Sequence, residues 1–158
     1  MTTQTFFQVF LMLHLIGFVL FAGTTIINFV TLRQFWKQYE LEGLKAKTIL
    51  QSFSKLPVLG RIGMIAIILS GVGMMAMTRG VFGEQIWFRI KFGFVVLIIL
   101  NALLVGRRLG LSLRKIIEEN KEGISAKINK VKSNLRVFHI AQLVLFFIIL
   151  LLSVFKFN

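Results

Sequence analysis

Residues 6–31 read FFQVFLMLHLIGFVLFAGTTIINFVT, a run of 26 positions without a charged side chain. A helix rises 1.5 Å per residue, so about 20 apolar residues cross the ~30 Å hydrocarbon core of a bilayer. The run is therefore long enough to span a membrane. It is too long for a strand of a membrane barrel and lacks the alternation of such strands. We predict a transmembrane helix here.

Three further segments share the length of the first and its scarcity of charge. They cover residues 57–78, 86–105 and 135–157, and Pro57 suits the first turn of a helix. The chain is 56% hydrophobic with a mean hydropathy of +0.82, whereas soluble domains are usually about 45–50% apolar. We predict an all-α fold, an integral membrane four-helix bundle in a single domain that covers all 158 residues.

The two long connections, residues 32–56 and 106–134, decide the orientation of this bundle. Of the 19 lysines and arginines, 15 lie in or beside these connections, and the others are Arg79, Arg89, Lys91 and Lys156. Cytoplasmic loops are enriched in lysine and arginine, so we predict that both connections are cytoplasmic and that both termini are outside. The formal charge of +13 then faces an anionic lipid leaflet, which favours a membrane protein over a nucleic-acid-binding protein.

The connections are themselves expected to contain short helices. In the second connection, apolar residues interleave with the charges, namely Leu113, Ile116, Ile117, Ile124 and Ile128. This pattern is typical of an amphipathic helix that lies at the lipid headgroups. A solvated helical extension of the third and fourth spans explains the pattern equally well, so both interpretations stay open.

Polar and small residues recur along one side of the first and fourth spans. In the first, His14, Phe21 and Asn28 are seven residues apart, with Gly17 and Thr24 between them. Polar residues inside a membrane usually face the interior of the bundle, and small residues let helices approach closely. The fourth span repeats the pattern with His139, Gln142, Phe146, Ile149, Ser153 and Lys156. We predict that both series face other helices.

The second span is rich in glycine, with Gly60, Gly63, Gly71 and Gly73. Glycine allows close contact between helix backbones. The contact is expected either within the bundle or between the protomers of a homo-oligomer.

Depth in the membrane separates the candidate site residues. Counted from the ends of the spans, His14 lies about 12 Å and Lys91 about 8 Å below the outer boundary. Both are therefore expected at one cavity in the outer half. His139 belongs to the inner half, roughly 12 Å or more from His14, which disfavours one haem bound by both histidines.

The residues alone leave the roles of this pair open. His14 is either a haem or metal ligand, a proton-transfer group, or a neutral histidine hydrogen-bonded across helices. Lys91, judged by itself, is more often a side chain that extends its charge to the interface. A pairing with a ligand carboxylate or a carbonyl is the alternative for Lys91.

Three short motifs bear on this choice, one each in the first, third and fourth spans. They are LHLI at 13–16, WFRIK at 87–91 and RVFHIAQ at 136–142. They resemble motifs of the HemJ-type protoporphyrinogen oxidases and of the related four-helix proteins that include the copper-resistance D membrane domain. The second motif is similar to the family's Trp-x-x-x-Lys, and the third to its Arg-x-Phe-Asn-Glu-x-Pro. In the third motif, Ile140 stands where the family has glutamate.

The resemblance implies a membrane-embedded haem b with His14 as the iron ligand. It also implies an essential, catalytic lysine at Lys91 and an oxidoreductase of the bacterial cytoplasmic membrane. Such an enzyme acts on a tetrapyrrole, with quinone as the electron acceptor. Because the chain departs from the family's pattern, the resemblance is that of a divergent member.

We therefore expect a haem- or porphyrin-binding redox protein in which Lys91 holds a propionate or polarises the tetrapyrrole. Secondary polar contacts are expected from Asn28, Asn101 and Gln142. The alternative is a non-enzymatic membrane protein without a cofactor, either a scaffold or a small transporter subunit for metal. The sequence has no aspartate, and its six glutamates lie in loops or near span ends, which disfavours proton-coupled transport. Cysteine is absent, which excludes thiolate metal sites.

Overall fold

The computed structural model describes residues 3–39, 41, 43–53, 55–119 and 125–155. Helices are the only regular secondary structure within these ranges. This confirms the predicted all-α class.

The described chain forms six α-helices, with one 3-10 helix and one π-helical segment between them. In order they are α1 (Thr3–Tyr39), α2 (Gly43–Ser52), α3 (Leu56–Met77), the 3-10 helix (Val81–Glu84), α4 (Ile86–Leu100), the π segment (Asn101–Gly106), α5 (Arg107–Glu119) and α6 (Ser125–Val154). Four helical stretches are long and apolar enough to cross a membrane: Thr3–Tyr39, Thr48–Met77, Ile86–Lys115 and Ile128–Val154. Each corresponds to one predicted span, although Lys156 lies outside the described residues.

The helices extend well into the connections that separate the predicted spans. Helix α1 continues to Tyr39, and α2 occupies much of the first connection. Helix α5 continues α4 directly through the π segment. The described part of α5 is thus helical and continuous with the third span. Its position at the lipid headgroups stays a prediction.

Helix α5 is a packed extension rather than a solvated one. Its Leu109 and Leu113 are buried in a cluster with Phe35, Trp36, Val131 and Leu135, and Ile128 packs against this cluster. Leu109 and Leu113 thus join α5 to α1 and α6. The side chains of Ile116 and Ile117 lie outside the described residues. Ile124 lies outside the described residues.

The helices associate as two pairs. Close backbone contacts join α1 to α3 and α4 to α6, and contacts between α1 and α6 connect the pairs. Helix α4 makes few such contacts with α1 or α3, so it stands apart from that pair. We call the end of the bundle at residues 78–85 the turn end, and the opposite end, which carries α2 and α5, the basic end.

Glycine permits the close packing of α1 on α3. A Cβ atom at Gly17 would lie 2.9 Å from the carbonyl oxygen of Gly63, and one at Gly63 would lie 2.7 Å from that of Gly17. The other three glycines of α3 also face α1: Gly60 lies beside Thr24, Gly71 beside His14 and Gly73 beside Phe10. The glycine-rich face therefore makes its contact within the bundle.

The middle of the bundle is filled by an aromatic and aliphatic cluster. Phe21, Met64, Ile98, Phe146 and Ile149 are buried there, so α1, α3, α4 and α6 all contribute. In α6, Gln142, Phe146 and Ile149 are buried, and in α1, Gly17, Phe21 and Thr24 are buried. The central residues of both series are thus buried between helices, as predicted.

Candidate functional site

The imidazole ring of His14 is fixed against α3. Its Nδ1 atom lies 3.1 Å from the carbonyl oxygen of Ile67 and 3.0 Å from the hydroxyl oxygen of Ser70. The side chain of Ser70 is fully buried, and its hydroxyl donates to carbonyls of its own helix, at Ala66 and Ile67. When the one hydroxyl hydrogen is used within α3, the oxygen of Ser70 is able to accept from His14.

These partners assign the tautomer of the neutral ring. The Ile67 carbonyl can only accept a hydrogen bond, so we assign the ring hydrogen of His14 to Nδ1. The lone pair is then on Nε2. Gly71 lies under the ring, because a Cβ atom there would be 3.6 Å from Cε1 of His14. This distance is an ordinary van der Waals contact, so the ring packs on the α3 backbone at Gly71.

Lys91 of α4 is near this ring. Its side chain is partly buried, and its positive charge acts on His14. This agrees with the similar depth that residue counting predicts for the pair. Helices α1 and α4, which carry the two side chains, share few close backbone contacts.

Asn101 and Gln142 form a separate polar bridge. The amide nitrogen of Asn101 donates to the side-chain oxygen of Gln142 at 2.8 Å, and Gln142 donates to the carbonyl of Ile98 at 3.4 Å. Gln142 is almost wholly buried, with 1% of its surface exposed. Ten helical residues separate Asn101 from Lys91, or about 15 Å along the axis. The bridge joins α4 to α6 and lies away from His14.

Asn28 and His139 belong to the other half of the bundle. Asn28 is half-buried on α1, about 21 Å along the helix from His14. The neighbouring Phe29 ring lies 6.1 Å from the ring of His139. The two histidines are therefore about 22 Å apart along α1, which agrees with the prediction that one haem does not bind both.

A cavity of ≈ 390 Å³ lies between α1 and α6 towards the basic end. We call it the α1–α6 cavity, and its lining residues are Phe29, Leu32, Arg33, Trp36, Lys37, Lys132, Leu135, Arg136 and His139. The sequence contains a signal for it, since two pairs of basic residues are each spaced by one helical turn. In the sequence, those residues were used to orient the helices, Arg136 also belongs to the motif at 136–142, and no cavity was predicted there.

The described residues contain no group of three or more histidines and carboxylates arranged to hold a metal ion. A bare metal ion would thus find at most a partial ligand set at His14. A metal that brings its own ligands, as the iron of a haem does, requires only one or two protein ligands.

Comparisons with protein-family models, curated proteins and solved structures found no match for this chain. The similarity to the HemJ-type oxidases therefore rests on the short sequence motifs.

Proposed function

We propose that this chain is a membrane-embedded haem- or porphyrin-binding redox protein, with His14 as the iron ligand. The geometry of the His14 ring is the observation that carries the proposal. Its Nδ1–H is held by acceptors on α3, and Nε2 keeps a lone pair. Metal-ligating histidines are held in this way, because the second ring nitrogen donates to a carbonyl or another acceptor.

The surface of the bundle supports insertion into a membrane. Large apolar side chains at the middle of the helices are exposed, among them Val19 (67%), Val72 (64%) and Phe147 (61%). Apolar surface on this scale is typical of a contact with lipid or protein. Under the positive-inside rule, the basic end is cytoplasmic and both termini are outside. We assign the protein to the bacterial cytoplasmic membrane as a multi-pass protein, with His14 in the outer half.

Lys91 is the proposed partner for a carboxylate of the ligand. Its charge already acts on the His14 ring from α4. Porphyrins carry propionates, and a cation within a membrane normally pairs with an oppositely charged or polar group. The proposed entry route for a flat apolar ligand is from the lipid, on the side of His14 where α4 shares few close backbone contacts with α1 and α3. Haem, when bound, would supply one-electron redox chemistry.

The proposal assigns ligand contacts to His14 and Lys91. Asn101 and Gln142 are engaged with each other, and Asn28 lies level with His139. In the enzymatic form of the proposal, a tetrapyrrole is the substrate and quinone accepts the electrons. This enzymatic form is supported by the three sequence motifs at 13–16, 87–91 and 136–142.

An absorption spectrum tests the haem site directly. The protein is expressed with haem supplementation and purified in detergent, and we expect a Soret band with about one haem per chain. His14→Ala should lose this band. His139→Ala is the matched control, because His139 also holds its Nδ1 on a carbonyl, that of Leu135 at 2.8 Å. It should keep the band.

Circular dichroism and gel filtration show whether each variant is folded. A folded wild-type protein without a Soret band contradicts the proposal. A band that disappears in His139→Ala but persists in His14→Ala contradicts the choice of ligand.

A non-enzymatic scaffold without a cofactor is the second candidate. The hydrogen bonds of His14 favour it too, because they join α1 to α3. Such bonds between membrane helices contribute about 0.6 kcal/mol on average. For a scaffold, haem supplementation gives no Soret band, and His14→Ala lowers only the thermal stability.

A further inference from the structure

The walls of the α1–α6 cavity combine positive charge with aromatic surface. Its volume of ≈ 390 Å³ falls within the roughly 300–1,000 Å³ that is usual for ligand pockets. Arg33 and Lys37 line it from α1, and Lys132 and Arg136 line it from α6. None of the nine described lining residues is acidic.

The spacing of these cations is unfavourable without an anion. Arg33 and Lys37 are four residues apart on one helix, and so are Lys132 and Arg136. Like charges at this spacing repel each other. The two pairs also face each other across the cavity, since contacts between α1 and α6 bring the helices together. An anion held between them would remove this repulsion.

The aromatic wall distinguishes between kinds of anion. The buried Trp36 lies beneath the ammonium of Lys132, which is 6.0 Å from its ring centroid. Phe29 and Leu32 continue the apolar surface along α1 towards the middle of the bundle. A lipid carries a phosphate next to its acyl chains. The phosphate would contact the basic residues and the acyl chains would contact the apolar residues. Inorganic phosphate makes no use of the apolar wall.

His139 also lines the cavity, with 6% of its surface exposed. Its Nδ1 atom donates to the carbonyl of Leu135 at 2.8 Å, which leaves Nε2 of the neutral ring as an acceptor. The four cationic side chains are donors. A headgroup that carries both a phosphate and a hydroxyl uses donors and acceptor together.

We propose that the α1–α6 cavity binds the phosphate of an anionic phospholipid with a hydroxyl-bearing headgroup. Basic pockets between membrane helices on the cytoplasmic side are suited to anionic headgroups. Zwitterionic lipids bring a cation of their own, which the four basic side chains repel. The site is distinct from His14 and does not depend on haem binding.

Native mass spectrometry of the full-length protein in mild detergent tests this proposal. The probes are phosphatidylglycerol, phosphatidylcholine and inorganic phosphate. We expect retention of phosphatidylglycerol in preference to phosphatidylcholine, without competition from inorganic phosphate. Arg33→Gln/Arg136→Gln should weaken phosphatidylglycerol binding about thirty-fold, since each cation near an anionic headgroup accounts for about a five-fold effect.

Arg107→Gln/Arg108→Gln is the matched control. Both arginines are exposed on α5 near the basic end and are not among the residues that line the cavity. This variant removes the same charge and should bind phosphatidylglycerol as the wild type does. Equal losses in both double variants show diffuse charge attraction and overturn the proposal.

Two further outcomes also overturn it. One is equal retention of phosphatidylglycerol and phosphatidylcholine, and the other is displacement of the lipid by inorganic phosphate. Lys37→Gln, a single exposed substitution, repeats the test if the double variant is unfolded, with an expected loss of about five-fold. The Soret band of the cavity variants should equal that of the wild type, which separates this result from the haem proposal.

Discussion

At the scale of single residues, the buried hydroxyl of Ser70 determines how His14 is presented. Its hydroxyl hydrogen is donated to a carbonyl of α3, and its oxygen lies within hydrogen-bond distance of the imidazole. Together with the carbonyl of Ile67, it sets both the tautomer and the position of the ring. Ser70 is thus a positioning residue for the proposed iron ligand.

We predict that Ser70→Ala weakens haem binding about ten-fold. Removing a hydrogen-bond partner of a metal-ligating residue usually costs 10–100-fold in affinity, and the Ile67 carbonyl still holds the ring. Titration with haem, followed at the Soret band, measures the change. Ser153→Ala is the control, because that hydroxyl bonds only to Ile149 of its own helix, at 2.7 Å.

An equal effect of the two serine substitutions would remove the special role of Ser70. The proposal for His14 would then have to rest on the Ile67 carbonyl alone. A complete loss of haem in Ser70→Ala, with the fold intact, would show that this carbonyl does not hold the ring by itself.

At the scale of helices, the contact between α1 and α3 depends on two facing glycines. The carbonyl oxygen of Gly63 lies where a Cβ atom at Gly17 would be, and the carbonyl oxygen of Gly17 lies where a Cβ atom at Gly63 would be. A side chain here meets backbone rather than a flexible group, so the helices must move apart. His14 crosses the same interface to reach α3, and its hydrogen bonds therefore depend on this approach.

Gly63→Ala should destabilise the bundle by about 1–3 kcal/mol, the usual cost of an added methyl group in tight packing. A lower midpoint of thermal unfolding, followed by circular dichroism in detergent, measures this. Gly23→Ala is the control, because nothing lies within 4 Å of the Cβ position there. It should be neutral or slightly stabilising, as alanine is the better helix former. A stable Gly63→Ala protein would contradict the described approach of the helices.

Apolar run length was sufficient to predict which segments form the long helices, because only helices satisfy the backbone within such runs. It did not predict where the helices end. Charged residues were used to predict where a span leaves the membrane, but a helix does not have to end there. Helix α1 continues past Arg33 to Tyr39, and α4 continues through the π segment into α5. Counting residues from the ends of the spans predicted that His14 and Lys91 lie at a similar depth. The Asn101–Gln142 bridge depends on how α4 and α6 are rotated, which depth does not reveal.

The α1–α6 cavity could not be predicted from the sequence for a second reason. Arg33 and Arg136 stand more than a hundred positions apart in the chain, and only the pairing of α1 with α6 brings them to one cavity. The sequence shows each basic pair by itself. It does not show which helices are neighbours.

At the scale of the whole molecule, the central claim is that four helices cross the membrane with the basic end in the cytoplasm. The chain alternates in direction, so the 3-10 helix at the turn end and the connection after α1 lie at opposite ends of the bundle. The depth of His14 and the lipid leaflet that faces the α1–α6 cavity both follow from this arrangement.

Labelling of single cysteines tests this claim most directly, since the sequence has no cysteine of its own. Val81 at the turn end and Leu41 after α1 are both exposed and suit substitution. With a membrane-impermeant maleimide on intact cells, Val81→Cys should be labelled, and Leu41→Cys should be labelled only after permeabilisation. The reverse pattern, or equal labelling of both variants in intact cells, would contradict the proposed topology.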